Sequence, residues 1–327
     1  MDPQGSGDSH SKERNGRASA NRSDCTQPSG GRRLLPDGGD EESPSNELPP
    51  TNDSRLGLFW RIGIVFVGMT AIWLLTYNVT SIVFEPGYTR PGHVTSAILA
   101  TVLTVPLVVA VRRYLDNRSL SGLGFPPFRT AWRSFLLGMG CYLLPASVGL
   151  GAVLALGWVE LSLDTSVTDL VFLLLSLAVL VFLYEALPEE LAFRGYLYRN
   201  LSASFPRWSA VGGQAVLFTL WGVAIGAAPT VDRVLILFVV AAVLGAIRAI
   251  TGDLWAPIGF HLAFQTVQQL FAGGWANQPF VVSDPGMLEM IAFGLVPVAL
   301  AILILEVITG EETDWYAREP DSTGRTT

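Results

Sequence analysis

Two stretches of this chain hold the residues best suited to chemistry. The first, "PEELAFRGYLYR" at 188–199, brings Glu189, Glu190 and Arg194 together. Glu190 and Arg194 are four residues apart, so on a helix they share a face and can pair. Glu189 is rotated about 100° from Glu190 and is predicted to point elsewhere, on the face it shares with Glu185. The second stretch, "LWAPIGFHLAFQTVQQLF" at 254–271, places His261, Gln265 and Gln268 or Gln269 at i, i+4, i+7 and i+8. That spacing makes one polar stripe on an otherwise apolar helix. Intramembrane carboxylates often serve as proton relays. Each stretch also has a plainer reading: charges at a helix end emerging into water, and amides bonding neighbouring helices. His261 leans toward function, because it can donate, accept or ligate. Only two other histidines occur, His10 and His93.

The surrounding composition says where these residues must work. Of 327 residues, 50% are hydrophobic and 15% charged, less charge than a soluble domain carries. Residues 1–54 are almost free of large apolar side chains, while 58–308 are dominated by them. Eight runs are long and apolar enough for spans: 58–84, 95–111, 132–157, 168–187, 208–227, 232–250, 254–273 and 287–308. They do not alternate as barrel strands would. The expected fold class is therefore all-α, a multi-pass membrane bundle of about eight helices over 55–309. A disordered polar tail is expected at 1–54, with no secretory signal, and a short polar tail at 310–327. Arg112, Arg113, Arg118, Arg129 and Arg133 follow the second run, Arg194, Arg199 and Arg207 follow the fourth, and Arg248 ends the sixth. The opposite loops are poorer in cations, so both termini are expected on the cytoplasmic side of the cell membrane. That orientation puts the Glu–Glu–Arg stretch at the cytoplasmic end of span four.

With those residues in place, the chain resembles the CAAX prenyl protease and bacteriocin-processing (CPBP, or Abi) family of intramembrane proteases. "EELAFRG" matches that family's EExxxR motif at Glu189, Glu190 and Arg194. "LWAPIGFH" leads into His261 as the family's last motif, HxxxN, would begin. The resemblance spans roughly 120–275, with the motif core at about 168–275. It implies hydrolysis of a peptide bond in a membrane-tethered or prenylated protein, without a covalent intermediate. On that pattern Glu189 is the base that activates water, His261 an oxyanion donor, and Arg194 the orienting partner of Glu190. A poorly solvated carboxylate is a stronger base, and preorganised donors supply much of the acceleration. Membrane lipids and a membrane-tethered polypeptide are the expected partners.

Two positions depart from the pattern. The family's FxxxH falls on "FTLWG", where Phe218 matches but Gly222 replaces the histidine. No histidine lies between His93 and His261, so no shift of register restores it. The asparagine of HxxxN is Gln265, whose extra methylene moves the amide. Three repairs are open: Glu189 acting with Glu185 or Glu190, His261 serving the water, or Gln214 supplying a hydrogen bond. The alternatives to an endopeptidase are a catalytically impaired relative that binds a partner helix or lipidated tail, and a proton-coupled carrier. No HExxH, GxSxG or phosphate loop appears. Cys25 and Cys141 form no metal motif, so no cofactor, metal or nucleic acid is expected. Lys12 is the only lysine, and the net charge is −7; both suit a halophilic archaeal source.

Overall fold

The computed structural model describes residues 56–272, 278–310 and 312–319. The expected tail at 1–54, with His10, Lys12 and Cys25, lies outside the described residues. Eight helical runs follow one another among those described: α1 (Leu58–Val83), α2 (Arg90–Leu115), α3 (Phe128–Ala155), α4 (Val167–Ser204), α5 (Arg207–Ala224), α6 (Val231–Thr251), α7 (Trp255–Ala272) and α8 (Pro285–Thr309). They correspond one to one with the eight apolar runs of the sequence, and the chain is a helical membrane bundle. Two three-residue strands, β1 (Leu161–Leu163) and β2 (Phe280–Val282), pair antiparallel, with Ser162 opposite Val281. They join the α3–α4 loop to the segment before α8.

Six of the helices are long and apolar enough to cross a membrane; α5 and α7 are not among them. Each has only 18 residues, about 27 Å at 1.5 Å per residue, and each carries amides or the histidine. The outward faces of the longer helices are apolar, with Val67, Val102, Leu136, Phe172 and Leu303 all exposed. Such a surface suits a lipid rather than an aqueous surround. Polar side chains turn inward instead, as Thr104, Glu190, Arg194 and Gln214 do.

The largest departure from expectation concerns α4. Ser166 starts it by accepting from the Asp169 amide at 3.1 Å. The helix then runs on past 187 for a total of 38 residues before Phe205 and Pro206 stop it. At about 57 Å it is much longer than a hydrocarbon core requires. The Glu–Glu–Arg stretch is thus inside a helix and buried, not at a span end emerging into water. Two π-helical segments, Phe182–Ala186 and Glu190–Leu197, interrupt α4. Their i→i+5 bonds, such as Leu187 N to Phe182 O, shift the register of the side chains around the motif.

Asp116 anchors the far part of α4. Its fully buried carboxylate accepts from Arg61 and Arg112, each at 3.2 Å, from the Tyr196 hydroxyl at 3.0 Å and from Asn200 at 3.4 Å. One acidic group thereby ties α1, the end of α2 and α4 together, and its lone pairs are satisfied as burial requires. The segment 312–319 packs back on the α4–α5 turn. Glu319 accepts from Arg199 at 3.2 Å and Arg207 at 2.8 Å, while the Arg207 and Trp208 amides donate to the Ala317 and Trp315 carbonyls. Those two amides are among the first of α5, which lack partners within the helix.

Helix α7 is positioned at its first turn and by its closest neighbour. Asp253 accepts from the Trp255 and Ala256 amides at 2.7 and 3.2 Å, and the Trp255 indole donates to the Pro126 carbonyl at 2.8 Å. Along its length α7 lies against α3 with backbone nearly touching backbone. A Cβ on Gly138 would collide with the Ala256 carbonyl, and one on Gly259 with the Phe135 carbonyl. This reciprocal glycine contact, of the kind that lets membrane helices approach closely, sets the depth at which His261 sits. Gly259→Val is expected to force the helices apart and lower stability by about 1–3 kcal/mol. Unfolding in mixed micelles measures this, with lipid-facing Val102→Ile as the unaffected control.

Candidate active site

The sequence-predicted residues converge, though not as α-helical spacing implies. Glu190 and Arg194 form the expected pair, with Arg194 Nη1 at 2.9 Å from Glu190 Oε1. The same carboxylate oxygen lies 2.8 Å from His261 Nδ1. Glu189, expected to point away from this group, faces the other side of the same imidazole, its Oε2 3.9 Å from His261 Nε2. The reason is that one imidazole ring presents two nitrogens on opposite edges, so two neighbouring carboxylates can face it from different sides. All four residues are buried.

This arrangement constrains one nitrogen of the histidine ring. Glu190 is paired with a guanidinium that stays charged, and a carboxylate so paired only accepts. His261 Nδ1 therefore carries the hydrogen and donates to Glu190, which leaves Nε2 facing Glu189. Arg194 is held in turn from two other sides. Its Nη2 donates to the Ala241 carbonyl of α6 at 3.4 Å, and its guanidinium lies 4.6 Å from the centroid of the Phe218 ring. Phe218, the retained half of "FTLWG", is thus a platform for Arg194.

Gln214 does not take up the missing hydrogen bond. Its amide nitrogen is committed to the Ala241 carbonyl at 2.7 Å and the Val211 carbonyl at 3.1 Å, binding α5 to α6. Gly222 is buried, and a Cβ there would run into the Leu237 side chain. The space expected for a histidine is filled from α6 by that leucine. Gln265 lies beside Glu185, while Gln269 donates to both oxygens of Glu185 at 2.9 and 3.1 Å. A second polar layer, Glu185 with Gln265 and Gln269, therefore adjoins Glu189 and His261.

A cavity of about 960 Å³ joins these layers. Glu185, Glu189, His261, Gln265 and Gln268 line its polar part, and side chains of α6 and α8 such as Leu237, Val240 and Val298 its apolar part. It extends to Gly226, Asp232, Arg233 and Glu289, at the end of the bundle that carries the α5–α6 turn and the start of α8. Two lining residues were given no chemical part on sequence grounds. Tyr184 lies next to Glu185, and Trp221 is 2% exposed with its indole nitrogen lacking a partner among the described residues. The tryptophan stands one residue before Gly222, but nothing in its spacing separates it from a packing residue. Among the described residues, no group of three or more His, Cys, Asp or Glu side chains is placed to hold a metal ion.

Comparison with known proteins follows the motif. Residues 171–267 match the family described as Type II CAAX prenyl endopeptidase Rce1-like. The matched segment runs from α4 into α7 and includes Glu189, Glu190, Arg194, Gly222, His261 and Gln265. It agrees with the resemblance read from EExxxR, and this part of the chain is CAAX-protease-like. No curated protein matches the chain.

Arg194→Met is expected to leave the buried Glu190 carboxylate uncompensated, at a cost of about 3–5 kcal/mol. Adding Glu190→Gln removes the stranded charge and should restore part of that loss. Unfolding of the single and double variants in mixed micelles reads both effects.

Proposed function

We propose that the protein is an intramembrane endopeptidase that hydrolyses a peptide bond of a membrane-tethered protein, with Glu189 as the general base. One observation carries this reading: Glu189 Oε2 and His261 Nε2 stand 3.9 Å apart in the wall of the cavity. A water bonded to both would give a proton to Glu189 as its oxygen attacks the peptide carbon. As the C–N bond breaks, Glu189 returns that proton to the leaving amine. His261 thus serves the water rather than the oxyanion, which answers the loss of the family histidine at Gly222. The Trp221 indole N–H and the Gln265 amide, both in the cavity wall, are donors available to the oxyanion. Arg194 and Glu190 act one step back, by holding the imidazole in the tautomer the reaction needs.

A binding role without catalysis is the second reading. Leu237 favours it, because it closes the family's second catalytic position with a hydrocarbon. A carrier fits less well: the cavity extends to one end of the bundle, and the Glu185 and Glu189 layers stop short of the Asp116 network at the other. For orientation, the arginine-rich end with Arg112, Arg199 and Arg248 is assigned to the cytoplasm together with both termini. The cavity mouth then faces the opposite side. That geometry suits a membrane-tethered polypeptide on that side better than a prenylated cytoplasmic tail.

The test is cleavage of fluorogenic single-span peptides co-reconstituted with the protein in liposomes. Glu189→Gln should lower turnover by about 10²–10⁴-fold, the usual range for a general base. Cleavage unchanged in that variant contradicts the reading. Gly222→His alone should collide with Leu237, whereas Gly222→His with Leu237→Ala should be accommodated. A rise in turnover in the double variant is expected of a protease, and no cleavage in any of these proteins favours the binding role.

A further inference from the structure

A second cavity, of about 660 Å³, lies between α1, α2 and α4. Its mouth is the α1–α2 loop, where Glu85, Pro86 and Gly87 are exposed. Thr80, Ser81, Tyr88, His93 and Ser96, all within about two turns of the loop, line it on the way in. Burial pushes the Tyr88 phenol up to about 12 against the opposing pull of Arg90, so a neutral hydroxyl stands at the mouth. At its inner end are Tyr184, Glu185 and Gln269. Tyr77, Tyr184 and Glu185 line this cavity and the main one alike. Of these, Tyr184 and Glu185 stand on α4 between the two cavities, and Glu185 is one turn of α4 from Glu189.

We infer that the second cavity is an aqueous vestibule that delivers water from the α1–α2 loop, past Glu185, to Glu189. The inference rests on the endopeptidase reading and supplies what that reading needs. Each turnover consumes one water, and the main cavity's wall is mixed, with aliphatic and aromatic side chains beside its polar groups. A polypeptide seated there with its apolar side chains displaces the water around it. A polar route entering from another direction lets substrate and water arrive without competing. Polar groups in a membrane interior belong beside a watery cavity or another polar group. The hydroxyls of the vestibule and the Glu185–Gln269 pair at its end meet that rule in sequence. Glu185 is a positioning group here: it accepts from Gln269 and offers its remaining lone pairs to water passing toward Glu189.

Two measurements test this on the full chain, with Cys25→Ser and Cys141→Ala as background. The first needs no proteolysis. In liposomes exposed on both faces to a charged, water-soluble methanethiosulfonate, Ser96→Cys is compared with Ile98→Cys on the same helix. Ser96 is 9% exposed and lines the vestibule, whereas Ile98 is 55% exposed on the apolar outer face. Ser96→Cys should react at least about tenfold faster, since only a hydrated thiol ionises readily. Equal, slow rates would overturn the vestibule whether or not the protein is a protease. The second measurement uses the fluorogenic peptides. Ser96→Trp should lower kcat with little change in KM, because water supply and not peptide binding is obstructed. Thr80→Leu, nearer the mouth, should do the same and stands in if the tryptophan variant misfolds. Unchanged kcat in both, with Ser96→Cys reactive, would leave a wet cavity but refute the water route. Absence of cleavage in the unsubstituted protein would instead defeat the endopeptidase reading, and the water route with it.

Discussion

The arrangement depends on one buried charge, the Glu190 carboxylate. A lone ion in so poorly solvated a place costs several kcal/mol, and only close, well-aligned partners offset this. Glu190 has two on one oxygen, Arg194 from its own helix and His261 from α7. Each partner is held in turn. Arg194 rests on Phe218 and reaches the Ala241 carbonyl; α7 is fixed by Asp253 at its start and by glycine contacts with α3. The packing of five helices can thus be traced to the need to surround this charge. The position of Glu189 opposite the free edge of the imidazole follows from the same constraint.

Much of this was legible in the sequence, and what was not has a common physical cause. Hydropathy located eight helices because lipid contact demands apolar faces. Spacing paired Glu190 with Arg194 because that contact lies within one helical turn. The stripe on α7 gave His261 and the glutamines their shared face. Glu189 shares the imidazole with Glu190 because the ring's two nitrogens lie on opposite edges, a contact between helices that spacing within one helix does not carry. The helix of span four runs to Ser204, beyond the apolar run, because its charges pair inside the bundle and do not need water. Asp116 is an ordinary loop residue in the sequence; only the approach of Arg61, Arg112, Tyr196 and Asn200 makes it an anchor. The Leu237 side chain over Gly222 likewise depends on how two helices meet.

The substitutions at 222 and 265 gain meaning from their surroundings. Gly222 is not a vacant position awaiting a histidine, since α6 has packed a leucine into it. Gln265 lies by Glu185 and extends the polar layer from His261 toward the end of α7 that leads to α8. The changes are thus part of a consistent packing, in which the remaining histidine is bound through Nδ1 and open through Nε2. On the proposed reading, a single imidazole held in that way assists a water at Glu189.

The most direct measurement of this account is the protonation of the His261 ring. Solid-state NMR of the protein with nitrogen-15 histidine in lipid bilayers resolves Nδ1 from Nε2, with His261→Gln used for assignment. A neutral ring is expected with hydrogen on Nδ1, strongly hydrogen bonded, and a bare Nε2 that gains hydrogen when Glu190→Gln removes the carboxylate. A ring carrying its hydrogen on Nε2 in the unsubstituted protein, and indifferent to Glu190→Gln, would contradict it.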